Sequence, residues 1–300
     1  MTTTRLTPQT AALLTLAPVL WAGNAVVGRL VVDMVPPMTL NFLRWALAGA
    51  VLLPLAAWVL RPGSGLWAHW RRFALLGFLG VGIYNALQYL ALHTSTPLNV
   101  TLVASSMPLW MMVLGRLFFG VPIRRAQLAG ALLSMLGVAA VLARGDLANL
   151  ARLQLVPGDV YMVLATIAWA WYSWLLARPT APPAIRGDWA AFLLAQVVFG
   201  LGWSALLAAG EWTLAPVQMH WSWTLAAALV YIALGPALLA YRCWGLGVAR
   251  AGPTLAGFFA NLTPLFAALM SMALLGEAPR LYHGLAFALI VSGILVSSRR

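Results

Sequence analysis

The sequence predicts an all-α integral membrane protein with ten transmembrane helices arranged as two inverted five-helix repeats. Three observations predict it. The 300 residues are 63% hydrophobic and only 8% charged, with mean hydropathy +0.90. A soluble core of this size cannot bury that much apolar surface, so lipid must be the solvent for much of the chain. Ten apolar runs follow one another, each near the roughly 20 residues that a bilayer-spanning helix needs. Finally, the second half repeats the punctuation of the first: at an offset of 156 residues Pro97 falls on Pro253, Pro108 on Pro264, Gly120 on Gly276 and Gly137 on Gly293. Five runs per repeat is an odd number, which turns the second repeat upside down in the membrane relative to the first.

The first run, about 10–31, is too long for a signal-peptide core of roughly 7–15 apolar residues and is followed by nine more, so it reads as a retained helix. Pro36-Pro37 opens the second, 37–60, and Arg61-Pro62-Gly63 closes it. The third, 73–93, carries Tyr84, Asn85, Gln88 and Tyr89 in its middle and outer half. The fourth, 97–119, contains Pro108, and Val121-Pro122 separates it from the fifth, 126–143. The longest non-apolar connection follows, Arg144 to Gly158. It divides the chain into a first repeat (1–145), an inter-repeat loop (146–158) and a second repeat (159–300), together one domain. Arg178-Pro179 and Pro182-Pro183 separate the sixth run, 159–178, from the seventh, 189–209. The eighth, 223–246, contains Pro236; Gly252-Pro253 starts the ninth, 253–275, which contains Pro264, and the tenth covers 282–297. Barrel strands would instead show short alternating segments.

Arginine sets the orientation. The net charge of +12 comes from arginine alone, since there is no lysine. With the N-terminus in the cytoplasm, the cytoplasmic ends carry Arg5, Arg61, Arg71, Arg72, Arg124, Arg125, Arg178, Arg186, Arg250, Arg299 and Arg300, and the opposite ends only Arg144, Arg152 and Arg280. By the positive-inside rule both termini of this multi-pass protein are cytoplasmic. Scattered at run ends in this way, the arginines are topology determinants, and no nucleic-acid partner is implied. Trp58, Trp67, Trp70, Trp189, Trp212, Trp221 and Trp223 stand at run ends, where indole rings anchor at the headgroup level. The single cysteine, Cys243, forms no internal disulfide and no zinc cluster. No cofactor or metal is implied. Walker A, His-Glu-x-x-His, Gly-x-Ser-x-Gly and Rossmann patterns are absent, and there is no room for a nucleotide-hydrolysing domain, so neither an enzyme nor an ATPase partner is expected.

Inverted repeats place a solute site at the interface between halves, near the bilayer midplane. At an offset of 148 residues Trp21 falls on Trp169 and Asn24 on Tyr172, and each pair, three residues apart, shares one helix face. A large ring beside a hydrogen-bonding group on two pseudo-symmetric helices suits a flat, amphipathic solute, although the same tryptophans could simply fill a helix interface. Tyr84 and Gln88 share a face of the third run, and polar groups at that depth face the bundle interior or a water-filled cavity. In the fourth run Ser105 and Trp110 flank Pro108, and in the ninth Asn261 precedes Pro264. Mid-membrane prolines free a backbone carbonyl and break the helix, at a substrate site or as a static kink. Pro236, between Tyr231 and Tyr241, presents the same choice. The expected substrate-binding set is therefore Trp21, Asn24, Tyr84, Gln88, Ser105, Trp110, Trp169, Tyr172, Tyr231, Tyr241 and Asn261, with Pro108, Pro236 and Pro264 as hinges or kinks, all drawn from the first, third, fourth, sixth, eighth and ninth runs.

Charge is scarce at depth. Arg29 and Arg44 are expected to snorkel to an interface, and all six acids fall in loops or at run ends, which leaves no buried carboxylate for ion coupling. His93 is the one candidate for a titrating relay. Gly130-x-x-x-Ser134 and Gly284-x-x-x-Ala288 permit close approach of the fifth and tenth helices.

Leu20-Trp21-Ala22-Gly23-Asn24, Asn41-Phe42-Leu43-Arg44-Trp45-Ala46, the block from Tyr89-Leu90-Ala91-Leu92 through Pro108, Gly120 and Gly137, and its counterpart from Gly245-Leu246-Gly247 through Pro264, Leu275-Gly276-Glu277 and Gly293 resemble the drug/metabolite transporter superfamily. The likeness, over essentially the whole chain, is to its ten-helix EamA-type members, and among those to exporters of the YddG type. It implies ATP-independent secondary transport by alternating access, with export of aromatic and other neutral amino acids across a bacterial inner membrane. The partners it implies are a small amino-acid-like solute and the lipid bilayer. Efflux of hydrophobic or cationic drugs through the same cavity is the direct alternative; a lipid-modifying membrane enzyme or a structural subunit is the alternative of another class.

Overall fold

A computed structural model of the chain describes residues 6–95, 97–143, 146, 148–151, 154, 156–178, 180–214, 216–275 and 280–298. Arg5, Arg144, Arg152, Pro179, Gly276, Glu277, Arg299 and Arg300 lie outside the described residues, as do the side chains of Tyr89 and His93. The described residues form helices and no strand: α1 (Pro8–Leu30), α2 (Pro37–Leu60), α3 (70–94), α4 (97–119), α5 (Arg125–Ala143), α6 (Pro157–Leu176), α7 (Trp189–Leu214), α8 (Trp223–Ala251), α9 (253–275) and α10 (Leu281–Ser298). Short helices, Ala148–Ala151 and Pro183–Gly187, lie in the connections. Among the described residues, eight of these helices are long and apolar enough to cross a membrane. Of the other two, α6 is diluted by Asp159, Trp169 and Tyr172. The chain is an all-α membrane protein.

Acidic side chains start several of these helices. Glu211, near the end of α7, accepts the Met38 and Thr39 amides (3.0 and 2.9 Å) and the Thr39 hydroxyl (2.9 Å) at the start of α2. Asp188 takes the Ala190 and Ala191 amides (3.0 and 3.2 Å) to begin α7. Asp159 takes the Val156 amide (2.9 Å) and the Ser95 hydroxyl to begin α6. Each satisfies donors that a helix N-terminus leaves orphaned and sits at the positive end of the helix dipole. α7 runs to Leu214, past the expected end at 209, and so carries Glu211 to the start of α2.

The helices pair in a pattern that mirrors itself between halves. α2 packs on α7 and α5 on α10. α1 packs against the second parts of α8 and α9, while α6 packs against the second part of α3 and both parts of α4. Without a hydrophobic force between helices in lipid, close backbone approach must supply the attraction. A Cβ on Gly130 would lie 2.6 Å from the Gly293 carbonyl oxygen, and one on Gly293 2.6 Å from that of Gly130. Gly284, expected at this contact, instead has open space around it; Ile290, Gly293 and Ser297 form the α10 side. The C-terminal turn of α4 is closed by Gly120 in the left-handed region, φ 68°, as its lack of Cβ allows.

Four helices are interrupted. α4 breaks at Ser105-Ser106 and α9 at Asn261, each a few residues before its proline, Pro108 or Pro264. α3 widens into a π-helix at Phe78–Ile83, and α8 does the same at Ala233–Leu239 around Pro236. Such π segments leave main-chain carbonyls free for other partners.

Candidate functional site

The two π segments and the rings of α1 and α6 meet at the centre of the bundle. The Trp21 indole donates to the Pro236 carbonyl (3.3 Å), and the Tyr241 hydroxyl donates to the Gly80 carbonyl. The lack of a side chain at Gly80 also admits Tyr172, whose ring would lie 2.7 Å from a Cβ there. Each widened helix thus offers a carbonyl, and an aromatic donor from another helix satisfies it.

Around these anchors the rings stack edge to face and tilted. Trp21 lies 5.3 Å from Trp169 and 5.3 Å from Trp244; Trp169 lies 5.0 Å from Tyr84, 5.1 Å from Tyr172 and 5.5 Å from Tyr241; Trp45 lies 4.9 Å from Tyr241. These separations fall within the 4.5–7 Å of favourable ring pairs. Tyr172 donates to the Gln196 Oε1 (2.9 Å) and Trp244 to the Ser173 hydroxyl (3.1 Å), which fixes both orientations. A cavity of about 140 Å³ runs from Tyr172 and Tyr241 between α6, α7 and α8, past Gln196 and Trp189, to Arg186 and Arg242. It is smaller than the roughly 300–1,000 Å³ of ordinary ligand pockets, and of the ring cluster only Tyr172 and Tyr241 line it.

Trp21, Tyr84, Trp169, Tyr172 and Tyr241, all expected at the site, come together here. The others do not join the rings. Asn24 and Gln88 are half-buried on α1 and α3. Tyr231 lies against Gly23 and reaches the Leu20 carbonyl at 3.5 Å. Trp110 donates to Ser106 on its own helix (3.1 Å). Asn261 donates to the Ser105 carbonyl (3.2 Å) and the Ser134 hydroxyl (2.9 Å), tying α9, α4 and α5 together. α2 is a contributor the sequence reading left out, through Trp45; Trp244 was missed too, although the 156-residue offset places it on Gln88.

Arg44 corrects an expectation. Instead of snorkelling to an interface it is 3% exposed, on a helix that packs against α3, α7 and α8. Its guanidinium carbon lies 5.2 Å from the Trp45 ring centroid, and Trp45 in turn lies 4.9 Å from Tyr241. The aromatic centre therefore carries a cation on its α2 side.

The family profile described as "EamA-like transporter family" matches residues 9–143 and again 156–299. An uncharacterised transporter of Archaeoglobus fulgidus is 24% identical over 97% of this chain and 98% of its own. An aromatic amino acid exporter, YddG, of Ancylobacter novellus is 27% identical over 88% of each chain. An uncharacterised inner membrane transporter, YedA, of Escherichia coli is 25% identical over 93% of this chain and 87% of that one. A solved crystal structure superposes with a TM-score of 0.73 over 96% of this chain and 95% of that one, at 25% identity.

Proposed function

Because the chain belongs to the EamA-like transporter family, we propose that it is an ATP-independent carrier that exports aromatic and other neutral amino acids by alternating access around its central rings. The observation that carries this reading is the cluster of Trp21, Tyr84, Trp169, Tyr172 and Tyr241, held between two π-helical segments. Ring faces bind flat apolar bodies, and hydroxyl, amide and guanidinium groups at their edges match the polar ends of an amino acid. The relative named as an aromatic amino acid exporter points the same way.

Alternating access needs two arrangements of packed helices that differ little in energy. The helix breaks at Ser105-Ser106 and Asn261, with Pro108 and Pro264, and the π segment around Pro236 are the places where such a change is absorbed with fewest lost hydrogen bonds. We assign residues 1–145 and 159–300 to two inverted repeats whose junction is the site, in a bacterial inner membrane with both termini cytoplasmic. The small cavity then opens on the cytoplasmic side, where Arg186, Trp189 and Arg242 line its mouth.

Purified protein in proteoliposomes loaded with unlabelled phenylalanine tests the reading. External labelled phenylalanine should accumulate transiently by exchange, and ethidium should not. Exchange of ethidium without exchange of any amino acid in a panel would replace the reading with cationic drug efflux.

A further inference from the structure

Resting on the reading of this chain as a carrier of amino-acid-like solutes, we propose that Arg44 is the anchor for the solute's carboxylate. Five buried side-chain atoms among the described residues have no hydrogen-bond partner: Asn41 Oδ1, Arg44 Nε, Trp45 Nε1, Asn85 Nδ2 and Arg72 Nε. The first four belong to α2 and the second part of α3, two helices in contact. Asn41, Arg44 and Trp45 stand at positions i, i+3 and i+4 of α2, one helix face. The Asn41 amide donates to the Val81 carbonyl (3.2 Å), and Asn85 lies four residues beyond Val81 on α3. Buried polar atoms are almost always paired, and a group of unpaired ones calls for a missing partner.

The chemistry of the group selects that partner. Three of the four atoms are donors, one of them on a permanent cation, and a guanidinium matches a carboxylate's two oxygens with parallel hydrogen bonds. The fourth, Asn41 Oδ1, is an acceptor, which an ammonium on the same solute can use. No carboxylate of the protein meets this need among the described residues. Asp159, Asp188 and Glu211 hold helix starts, Asp146 takes the Ala148 amide (2.9 Å), and Asp33 is exposed in the turn after α1. A charge buried at membrane depth without a partner is costly and marks a functional site. Arg44 lies over Trp45, and Trp45 lies 4.9 Å from Tyr241, so a carboxylate there leaves the solute's apolar body among the rings. The substrate class is therefore a small carboxylate carrying an apolar or aromatic group, zwitterions included, and organic cations without a carboxylate are excluded.

Three ligands separate the contributions: phenylalanine, 3-phenylpropionate (no ammonium) and phenylalaninamide (no carboxylate). Binding to purified full-length protein should be at least ten-fold weaker for phenylalaninamide than for phenylalanine, with 3-phenylpropionate retained as a competitor. R44Q should weaken phenylalanine binding about ten-fold or more and abolish the preference over phenylalaninamide. R44K, which keeps the charge without the planar fork, should bind more weakly than the parent yet keep the preference. If the parent binds phenylalanine and phenylalaninamide alike, or folded R44Q discriminates as the parent does, the anchor is wrong while amino acid transport stands. If 3-phenylpropionate binds in an Arg44-dependent way and no amino acid does, the anchor stands and the amino acid reading falls. Binding of ethidium alone overturns both.

Discussion

Asn261 and Ser105, partners under the 156-residue offset that relates the two halves, are hydrogen-bonded to each other, the Asn261 amide to the Ser105 carbonyl at 3.2 Å. Two positions equivalent in a repeat touch only near the axis that relates its copies. The bond joins α9 to α4 where both helices are interrupted, and the same amide reaches Ser134 on α5 at 2.9 Å. It is a bracket between the halves and it satisfies a carbonyl that the break in α4 sets free.

Asn261→Ala should therefore destabilise the fold. It leaves the Ser105 carbonyl and the Ser134 hydroxyl buried without their donor, a loss of about 1–3 kcal/mol. Thermal unfolding in detergent should show a clearly lower midpoint for Asn261→Ala than for Leu214→Ala, an exposed side chain near a helix end. Equal midpoints would mean that the bracket contributes nothing.

Glu211→Ala should also destabilise, by about 0.5–2 kcal/mol, as the loss of a helix cap does. Glu211 serves the start of α2 from a different helix, so its removal loosens the α2–α7 pair as well. Asp33→Ala, at an exposed site, is the control and should unfold like the parent. Hydrogen exchange at Met38 and Thr39 that is unchanged in Glu211→Ala would contradict the assignment.

Much of this was legible in the sequence, and the parts that were not share a cause. The breaks in α4, α8 and α9 announce themselves through Pro108, Pro236 and Pro264, and the facing rings through the spacing that maps Trp21 on Trp169. The π segment at Phe78–Ile83 has no proline to mark it; Gly80 and Gly82 are its only signals. Arg44 reads as interfacial because snorkelling depends on which neighbours cover a helix face, and one helix's periodicity says nothing about that. For Ser105 and Asn261, polarity at depth was visible, but whether a polar group turns to a cavity or to another helix is decided by packing.

Transport should not depend on a proton gradient. The described acids all sit at helix ends or in connections, so none is placed to carry a proton through the centre. Phenylalanine counterflow in proteoliposomes should persist when a protonophore collapses the gradient. Arrest of counterflow by the protonophore would require a titrating group on the path.

Both termini should face the cytoplasm, as the arginine asymmetry requires. A fluorescent reporter fused after Arg300 should fluoresce in cells, while alkaline phosphatase at the same place should be inactive. Active phosphatase there would invert the topology and move the mouth lined by Arg186 and Arg242 to the other side.

The central claim is that the ring cluster between the π segments is where the solute binds. Its most direct measurement is phenylalanine binding to purified Trp169→Ala, compared with Trp223→Ala, whose parent side chain is 92% exposed. Trp169 meets Trp21, Tyr84, Tyr172, Tyr241 and Trp244. Losing a stacking ring forfeits roughly 0.5–1.5 kcal/mol beyond its lost area, so affinity should fall several-fold or more in Trp169→Ala and stay at the parent value in Trp223→Ala. Parent-like affinity in a Trp169→Ala protein that unfolds at the parent's temperature would contradict the account: the rings would then be packing alone, and the solute would bind elsewhere.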